Sequence, residues 1–223
     1  MFGSALPVVG RYAEVLAGAG SERGLMGPRE VPRLWDRHIL NCAVLTDLVP
    51  DGATVCDVGS GAGLPGLVMA IRRPDLRVTL VEPLLRRTTF LEETVEELGL
   101  GNVEVVRARA ERLHGERRFD VVTSRAVAAL DILLAWSLPL ATEGGVVLAM
   151  KGATAAEELA GAADAVRDLG GERPEVVTID SDGLSFPTTV VRVEAGPPRQ
   201  IASETASRAA GHGTRKRVKR KRR

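Results

Sequence analysis

The stretch 53–66, ATVCDVGSGAGLPG, constrains the fold more than any other part of the chain. An apolar run of β type ends near Asp57 and breaks into glycines at 59, 61, 63 and 66. Glycines at this spacing let the backbone turn tightly after a strand and bring its N–H groups close to a ligand. Residues 64–73 are apolar enough to form a helix that packs back on the sheet. The stretch therefore predicts a nucleotide-type cofactor loop at the carboxyl end of a strand.

The glycine loop fits two kinds of cofactor. Residues 61–66 match the dinucleotide pattern G-x-G-x-x-G, and Glu82 follows about twenty residues later, where a ribose-binding acid is expected. A leading G-x-G-x-G with an acid, Asp57, two residues before its first glycine is typical of methyltransferases that bind S-adenosylmethionine. A nicotinamide-dependent oxidoreductase would also need a second domain for hydride transfer, and little chain remains for one. We expect S-adenosylmethionine, with the oxidoreductase as an alternative.

Strand and helix patterns alternate after the loop. The predicted strands span 77–82, 103–108, 119–124, 145–150, 175–179 and 188–194, and the predicted helices span 84–98, 130–140 and 155–169. A short, turn-rich link joins the last two strands, which are expected to pair antiparallel. These patterns predict an α/β fold of the Rossmann-like class I S-adenosylmethionine-dependent methyltransferase type. Its sheet would be seven-stranded and doubly wound, with an antiparallel last strand.

Two helices are predicted before the sheet, over 6–19 and from 30 or 32 to 48. They would form an N-terminal helical cap, 1–50, on a Rossmann-like domain, 51–196. The second helix has a predicted apolar stripe made of Leu34, Trp35, His38, Ile39, Cys42 and Leu45. Polar groups beside that stripe are placed to line one edge of a cleft: Arg33, Arg37, His38 and Asn41.

Charge divides the chain into an acidic body and a basic tail. Residues 1–198 hold 20 Lys and Arg against 28 Asp and Glu, whereas 199–223 hold 10 against one. The tail, 197–223, has no hydrophobic periodicity and too little apolar surface to fold alone, so it is expected to be disordered. Such a segment binds phosphates electrostatically, without sequence preference.

Several classes of protein are disfavoured by composition. Cys42 and Cys56 are isolated and form no C-x-x-C pattern, so we expect reduced, buried thiols and no metal site. The chain has no apolar run near the roughly 20 residues of a membrane span and no charged-then-apolar signal at its start. A cytoplasmic protein is expected, and a monomer, because no additional apolar stripe is evident.

Ligands of open α/β sheets bind outside the carboxyl ends of the strands. Five consecutive strands of this chain place polar residues there. They are Asp57 with the glycine loop, Glu82, the segment 109–111, the segment 124–126, and Lys151 with Gly152. The sequence therefore predicts a polar rim along one edge of the sheet.

The residues after the fourth strand limit the methyl acceptor. Ser124-Arg125-Ala126 stands where enzymes that methylate exocyclic amines commonly carry Asn/Asp-Pro-Pro-aromatic, and no cysteine follows strands four to six to act as the nucleophile of pyrimidine C5 methylation. An acceptor with its own lone pair, such as guanine N7, needs neither device. Arg125 and Lys151 would then hold guanine O6 or nearby phosphates, after the base has been unstacked.

Six segments together resemble the bacterial glucose-inhibited division protein B family. They are RLWDRHILN (33–41), DVGSGAGLPG (57–66), RRTTFLEE (86–93), RARAE (107–111), SRA (124–126) and LAMKG (148–152). The resemblance covers about residues 6–194. It implies a 16S ribosomal RNA guanine-N7 methyltransferase that acts on a stem-loop near the decoding centre.

The resemblance also implies roles for particular residues. Cofactor contacts are implied at Gly59, Leu64, Ala110, Glu111 and Arg125, with Glu82 on the ribose and Asp57, Gly61 and Gly63 in the same loop. Arg125, Lys151 and His38 are implied to face the guanine. The expected partner is 16S ribosomal RNA or the small ribosomal subunit, with the tail on RNA phosphates. A catalytically idle ribosome-assembly factor is kept as an alternative.

Overall fold

A computed structural model describes residues 1–181 and 184–197 of the chain. The predicted basic tail lies outside the described residues from position 198 onward. In the part of the chain that is described, no helix is both long enough and apolar enough to cross a membrane. The same residues contain no cluster of His, Cys, Asp and Glu side chains that could hold a metal ion.

Seven strands within the described residues form one sheet. They are β1 (Thr54–Val58), β2 (Arg77–Val81), β3 (Val103–Val106), β4 (Phe119–Arg125), β5 (Ala141–Lys151), β6 (Gly171–Ile179) and β7 (Thr188–Ala195). Their order across the sheet is β3-β2-β1-β4-β5-β7-β6. The first five strands run parallel, and β7 pairs antiparallel with both β5 and β6. The predicted seven-stranded sheet with its antiparallel last strand is confirmed.

Helices cover both faces of the sheet, because its central strands are apolar on both sides. The α-helices are α1 (Leu6–Val15), α2 (Leu40–Val44), α3 (Gly66–Arg72), α4 (Leu85–Leu98), α5 (Leu130–Ser137), α6 (Ala155–Gly161) and α7 (Ala163–Asp168). Adjacent residues of β4 point into opposite cores, Val121 toward the core that includes α1 to α4 and Val122 toward the core that includes α5 to α7. The sheet is therefore doubly wound, as predicted.

The N-terminal helices are less regular than their spacing predicts. A π-helical turn, Leu16–Gly20, follows α1, and α2 lies between a π-helical segment, Leu34–Ile39, and a 3-10 turn, Leu45–Leu48. The prediction was wrong for Trp35, which is 39% exposed and has its ring edge-on to Phe2 at 6.4 Å between centroids. The wider π turn changes the 3.6-residue register on which the predicted stripe depended.

Other boundaries also differ from the predictions. The helix predicted over 155–169 is divided into α6 and α7 at Ala162, directly after Gly161, which has a low helix propensity. Strands β5 and β6 begin about four residues earlier than predicted, at Ala141 and Gly171. The first residues of β6 are exposed or half-buried, and in β5 the buried Ala141 is followed by three residues that are not buried, so neither start has the apolar pattern by which a buried strand is recognised.

The two cysteines are both buried free thiols, as predicted. Burial raises the pKa of the Cys42 thiol, and it raises the pKa of Cys56 further. Both side chains therefore remain protonated and pack as small apolar groups.

Candidate active site

The glycine loop connects β1 to α3, and two of its glycines are required by the local geometry. Gly59 has φ +70°, and a Cβ atom there would lie 3.0 Å from the Val127 side chain. Gly66 is packed against the sheet, where a Cβ atom would overlap Leu80 and lie 2.7 Å from Asp57 Oδ2. The loop therefore packs closely against the ends of the strands.

The N-terminal helix α1 is bonded directly to this loop. The hydroxyl of Tyr12, which is fully buried, donates a hydrogen bond to the carbonyl oxygen of Ala62 at 2.8 Å. The position of the loop therefore depends on a residue about fifty positions earlier in the chain.

Asp57 lies beneath the loop rather than in a cleft. Its carboxylate is fully buried, and Oδ2 accepts a hydrogen bond from Gly66 N–H at 3.0 Å. Oδ1 has no hydrogen-bond partner among the described residues. Burial raises the pKa of Asp57 to about 7, against the opposing effect of the Gly66 hydrogen bond. The predicted cofactor residue thus supports the turn through its hydrogen bond to Gly66.

The raised pKa of Asp57 predicts a pH-dependent stability. Between its unfolded value of 3.8 and its folded value of about 7, the folded protein binds more protons, so stability falls as pH rises through this window. The substitution Asp57→Asn removes the titrating group. From pH 5 to pH 8 the free energy of unfolding of the unsubstituted protein should fall relative to the variant by about 3 kcal/mol. Urea unfolding at both values measures this, with exposed Asp131→Asn as the control; equal slopes for all three proteins would contradict it.

A first cleft, called here the cofactor cleft, opens beside the loop and has a volume of about 450 Å³. Its wall includes four of the predicted cofactor residues: Gly59, Glu82, Ala110 and Glu111. Pro83, Leu84, Val127 and Trp136 add apolar surface. A volume of this size is in the usual range for small-molecule sites.

Glu82 is held at the cleft wall by the backbone. Gly61 N–H donates to its Oε2 at 3.1 Å, and Leu84 N–H donates to its Oε1 at 3.1 Å. Arg87 Nη1 also donates to Oε2, at 3.5 Å, so Oε1 is the oxygen with a further lone pair, through which Glu82 can accept a hydrogen bond from a ribose hydroxyl. Together with the apolar wall for a purine, this donor and acceptor set fits S-adenosylmethionine.

The structure does not bring every predicted cofactor residue to this cleft. Among the described residues, Gly61 contributes through its hydrogen bond to Glu82, whereas Gly63 and Leu64 do not line the cofactor cleft. Gly63 N–H donates to the Ser60 carbonyl at 2.7 Å, and Leu64 packs against the core on the α1 to α4 face. These two residues shape the turn from behind.

A second cleft, called here the acceptor cleft, has a volume of about 950 Å³ and lies at the ends of β4 and β5. Polar residues predicted to line a cleft edge all line it: Arg33, Arg37, His38 and Asn41. Arg125 and Lys151 lie on the same wall, as do two carboxylates, Glu30 and Glu158. Four cationic side chains against two acidic ones make the acceptor cleft electropositive.

Arg125 is the last residue of β4 and is held by the N-terminal segment. Its Nη2 lies 2.6 Å from His38 Nδ1 and donates to the Arg37 carbonyl oxygen at 3.2 Å, while Nη1 contacts Cys42 Sγ at 3.5 Å. His38 Nε2 lies 2.8 Å from Glu30 Oε2. Burial, with Arg125 nearby, lowers the pKa of His38 in spite of the opposing effect of Glu30.

Lys151 ends β5 and is similarly constrained. Its Nζ donates to the Ala128 carbonyl oxygen at 2.9 Å and to Glu158 Oε2 at 2.8 Å. The hydrogen bond from Lys151 lowers the pKa of the Glu158 carboxyl. The ammonium group is thereby held at the wall of the acceptor cleft, with one remaining proton to donate.

The two clefts meet at Ala126, which lines both. Its φ is +55°, a left-handed conformation that costs a residue with a Cβ atom some free energy. This turn directs Arg125 into the acceptor cleft and Val127 into the cofactor cleft. A ligand in either cleft can therefore approach the other at this residue.

Three residues of the acceptor cleft were not found from the sequence. Phe186 is 64% exposed at its rim, and Glu30 and Glu158 hold His38 and Lys151. Of these three, only Phe186 had a signal in the sequence. It is an isolated aromatic residue in a turn-rich link, in a chain with only 3% aromatic residues.

Solved structures with a similar fold are methyltransferases. The S-adenosylmethionine-dependent methyltransferase SibL in its apo form has a TM-score of 0.58 at 19% identity, over 76% of this chain and 58% of that one. A predicted O-methyltransferase, protein Atu636 from Agrobacterium tumefaciens, has a TM-score of 0.55 at 19% identity, over 72% and 81% of the two chains. The fold is that of the class I S-adenosylmethionine-dependent methyltransferases.

Sequence comparison identifies the family within this class. The family model described as rRNA small subunit methyltransferase G matches residues 6–183. The Nocardioides protein named Ribosomal RNA small subunit methyltransferase G is 58% identical over 215 residues, 93% of this chain and 86% of its own. The protein of the same name from Thermobifida fusca is 54% identical over 213 residues, 94% and 87% of the two chains. This chain belongs to the rRNA small subunit methyltransferase G family.

The assignment confirms the resemblance, the fold class and the cofactor expected from the sequence. It favours a methyltransferase over the nicotinamide-dependent alternative.

Proposed function

We propose that this protein transfers the methyl group of S-adenosylmethionine to N7 of one guanine in 16S ribosomal RNA. The junction of the two clefts at Ala126 carries the proposal, because it allows a ligand in the cofactor cleft to meet a base in the electropositive acceptor cleft. The printed name of the relatives, a ribosomal RNA small subunit methyltransferase, supports this class of substrate.

The chemistry requires little more than orientation. S-adenosylmethionine, when bound, supplies a methyl group made electrophilic by a sulfonium centre. Guanine N7 offers a lone pair and has no proton to lose. The chain therefore has to hold the base at the junction and align it, and alignment alone can supply a large part of the rate enhancement.

His38 fits such a site as an orienting group. Both of its ring nitrogens already lie within hydrogen-bond distance of protein groups, Arg125 at Nδ1 and Glu30 at Nε2. No general base is needed for an acceptor such as N7, and the ring is not free to serve as one. We assign His38 to the positioning of Arg125.

Arg125 and Lys151 are proposed to hold the guanine and the adjacent backbone. Within the described residues, three of the five N–H groups of Arg125 point to protein acceptors, which leaves two for guanine O6. A donor at O6 orients the base while N7 accepts the methyl group.

The arginines at the carboxyl edge of the sheet are proposed to contact RNA phosphates. Within the described residues, Arg33, Arg86, Arg107 and Arg109 have no hydrogen bond or ion pair through their side chains. At the opposite edge, Arg73 is paired with Asp51 and Asp75, and Arg117 is paired with Glu104. The four arginines at the carboxyl edge leave positive charge beside the clefts, although the body is acidic overall. We place the reaction in the cytoplasm, with the protein acting as a monomer and its tail on RNA phosphates.

Nucleoside analysis of 16S RNA from a deletion strain tests the function. Small subunits from that strain are incubated with the purified protein and methyl-labelled S-adenosylmethionine. We expect 7-methylguanosine to be missing from the strain and restored at one position. Full guanine N7 methylation in the deletion strain would overturn the proposal. If the subunits bind the protein but take up no label, the assembly-factor alternative replaces it.

Phe186 provides a prediction about base binding. Its exposed ring lies at the rim of the cleft that Lys151 and Arg125 also line, so we expect a nucleotide base of the RNA to stack on it. The substitution Phe186→Leu should raise KM for the small subunit by about 5- to 150-fold, with a smaller effect on kcat. Steady-state kinetics measure this. Phe186→Trp should retain the unsubstituted KM, and Ile132→Ala, at an exposed apolar residue on α5, is the control. An unchanged KM for Phe186→Leu would contradict stacking.

A further inference from the structure

We propose that Glu30 is a positioning residue, which holds His38 as the tautomer protonated at Nε2 and thereby holds Arg125 at the junction of the two clefts. Glu30 precedes the predicted stripe in the chain. Among the described residues, its side chain makes no hydrogen bond to β4 or to the glycine loop. Its effect would pass through the imidazole ring. The kinetic part of this inference rests on the proposed function, and the tautomer part does not.

The geometry assigns a direction to each hydrogen bond in the chain of three residues. Glu30 Oε2, a carboxylate oxygen, can only accept at 2.8 Å, so His38 Nε2 carries the proton that is donated. His38 Nδ1 then has its lone pair free, and it accepts from Arg125 Nη2 at 2.6 Å. A guanidinium group has donors only, so the opposite tautomer would place two N–H groups against each other.

Because the His38 ring is largely buried, its tautomer affects the position of Arg125. The His38 side chain is 14% exposed, whereas that of Glu30 is 34% exposed at the cleft rim. A ring held away from solvent has few water partners to replace a lost acceptor, so an incorrect tautomer would displace Arg125. The second contact of Nη2, the Arg37 carbonyl oxygen at 3.2 Å, comes from the residue next to His38 and would shift with it.

Protonation of His38 would have the same effect as the incorrect tautomer. Three charged side chains act on its ring: Glu30, Arg125 and Arg37. Burial and the two arginines lower the pKa of His38, and Glu30 opposes them. Below that pKa a proton on Nδ1 faces Arg125, so activity should show an acid limb that follows the titration of His38. Removing the negative charge of Glu30 should move this limb to lower pH.

The matched variants are Glu30→Ala, Glu30→Gln and Glu14→Ala. Glutamine retains an oxygen that accepts from Nε2–H but lacks the charge, whereas alanine removes both. Glu14 is an exposed residue of α1 whose carboxylate pairs with Arg11, so its substitution is the control for loss of a surface acid.

The test combines nitrogen NMR of histidine with pH profiles of methyl transfer. The chain has three histidines, so a His38→Gln spectrum assigns the His38 signals directly. In the protein and in Glu14→Ala we expect Nε2 protonated and Nδ1 unprotonated at neutral pH. Glu30→Ala should lose this single-tautomer pattern and lower kcat by about 10- to 100-fold. Glu30→Gln should keep the pattern and most of the rate, with its acid limb moved to lower pH.

The outcomes distinguish failure of the role proposed for Glu30 from failure of the proposed methyl transfer. An unchanged His38 pattern in Glu30→Ala, or an acid limb at the same pH in all variants, would overturn the role of Glu30. If the unsubstituted protein methylates no guanine while the NMR pattern changes as expected, the proposed function fails and the Glu30–His38 contact stands. A purely structural role would lower stability in Glu30→Ala and Glu30→Gln alike, and glutamine would not rescue the rate.

Discussion

Replacing Arg125 by alanine is expected to lower kcat/KM for methylation of the small subunit by about 10²- to 10³-fold, the usual effect of removing a donor that acts at the reacting group. The guanidinium belongs to the residue directly before Ala126, where the two clefts meet, and it is already held by three residues of the N-terminal segment. A group that is held in advance loses little freedom when the base arrives, which is why its removal should affect kcat as well as KM.

Two further variants make this prediction specific. Arg125→Lys keeps the charge but loses the planar fork, so it should recover little of the lost rate. Arg118→Ala is the matched control, because Arg118 also donates to a backbone carbonyl oxygen, that of Ala141, but at the opposite end of β4. A kcat/KM for Arg125→Ala within threefold of the Arg118→Ala value would contradict the assigned role. In cells, the assembly-factor alternative predicts instead that Arg125→Ala supports normal function.

Removal of residues 199–223 should greatly weaken binding to 16S RNA at low salt and make the remaining binding much less salt-dependent. The segment carries 10 basic residues and one acidic residue, next to a body with 28 acidic and 20 basic residues. Each phosphate contact releases counterions and contributes about −0.7 to −0.9 to the slope of log K against log salt. If all nine net charges engage, deletion should reduce the slope by about 6 to 8, and affinity at low salt should fall by several orders of magnitude.

Titrations of RNA binding at several salt concentrations measure both effects. A tail of the same length with every Lys and Arg replaced by Gln separates charge from chain length. The kcat at saturating small subunit should remain unchanged, because the clefts are built from the body. Equal slopes for the full chain and the neutral tail would contradict a role in phosphate binding.

The residues at the strand ends could be predicted because their positions follow from local sequence. A run of β-branched residues shows where a parallel strand ends, and the next polar residue must then stand at the carboxyl edge. Glu82, Arg125 and Lys151 were found in this way, and the structure places each at a cleft wall. The position of a strand end does not predict on which face of the sheet a side chain lies. Asp57 is the example, since it points into the buried layer under Gly66.

The supporting residues could not be predicted because they depend on contacts between distant segments. Phe186 lines the acceptor cleft beside a contact between residues far apart in the chain, in which Ser185 N–H donates to Asp36 Oδ1 at 3.3 Å. Glu30 meets His38 across an irregular turn that contains both 3-10 and π-helical geometry. No spacing rule covers such a turn, so the contact had no sequence signature.

The two clefts differ in how much of the chain must exist before each is complete. The walls of the cofactor cleft come from residues 58–136, whereas the acceptor cleft joins residues 30–41 to residues 186–189. During synthesis from the N-terminus, every residue that lines the cofactor cleft is therefore made before the last wall of the acceptor cleft. The same part of the chain supplies β7, which lies between β5 and β6 in the sheet, so a chain shortened before residue 186 lacks an internal strand as well as this wall. The last segment needed to complete the acceptor cleft is thus joined directly to the strand that completes the sheet.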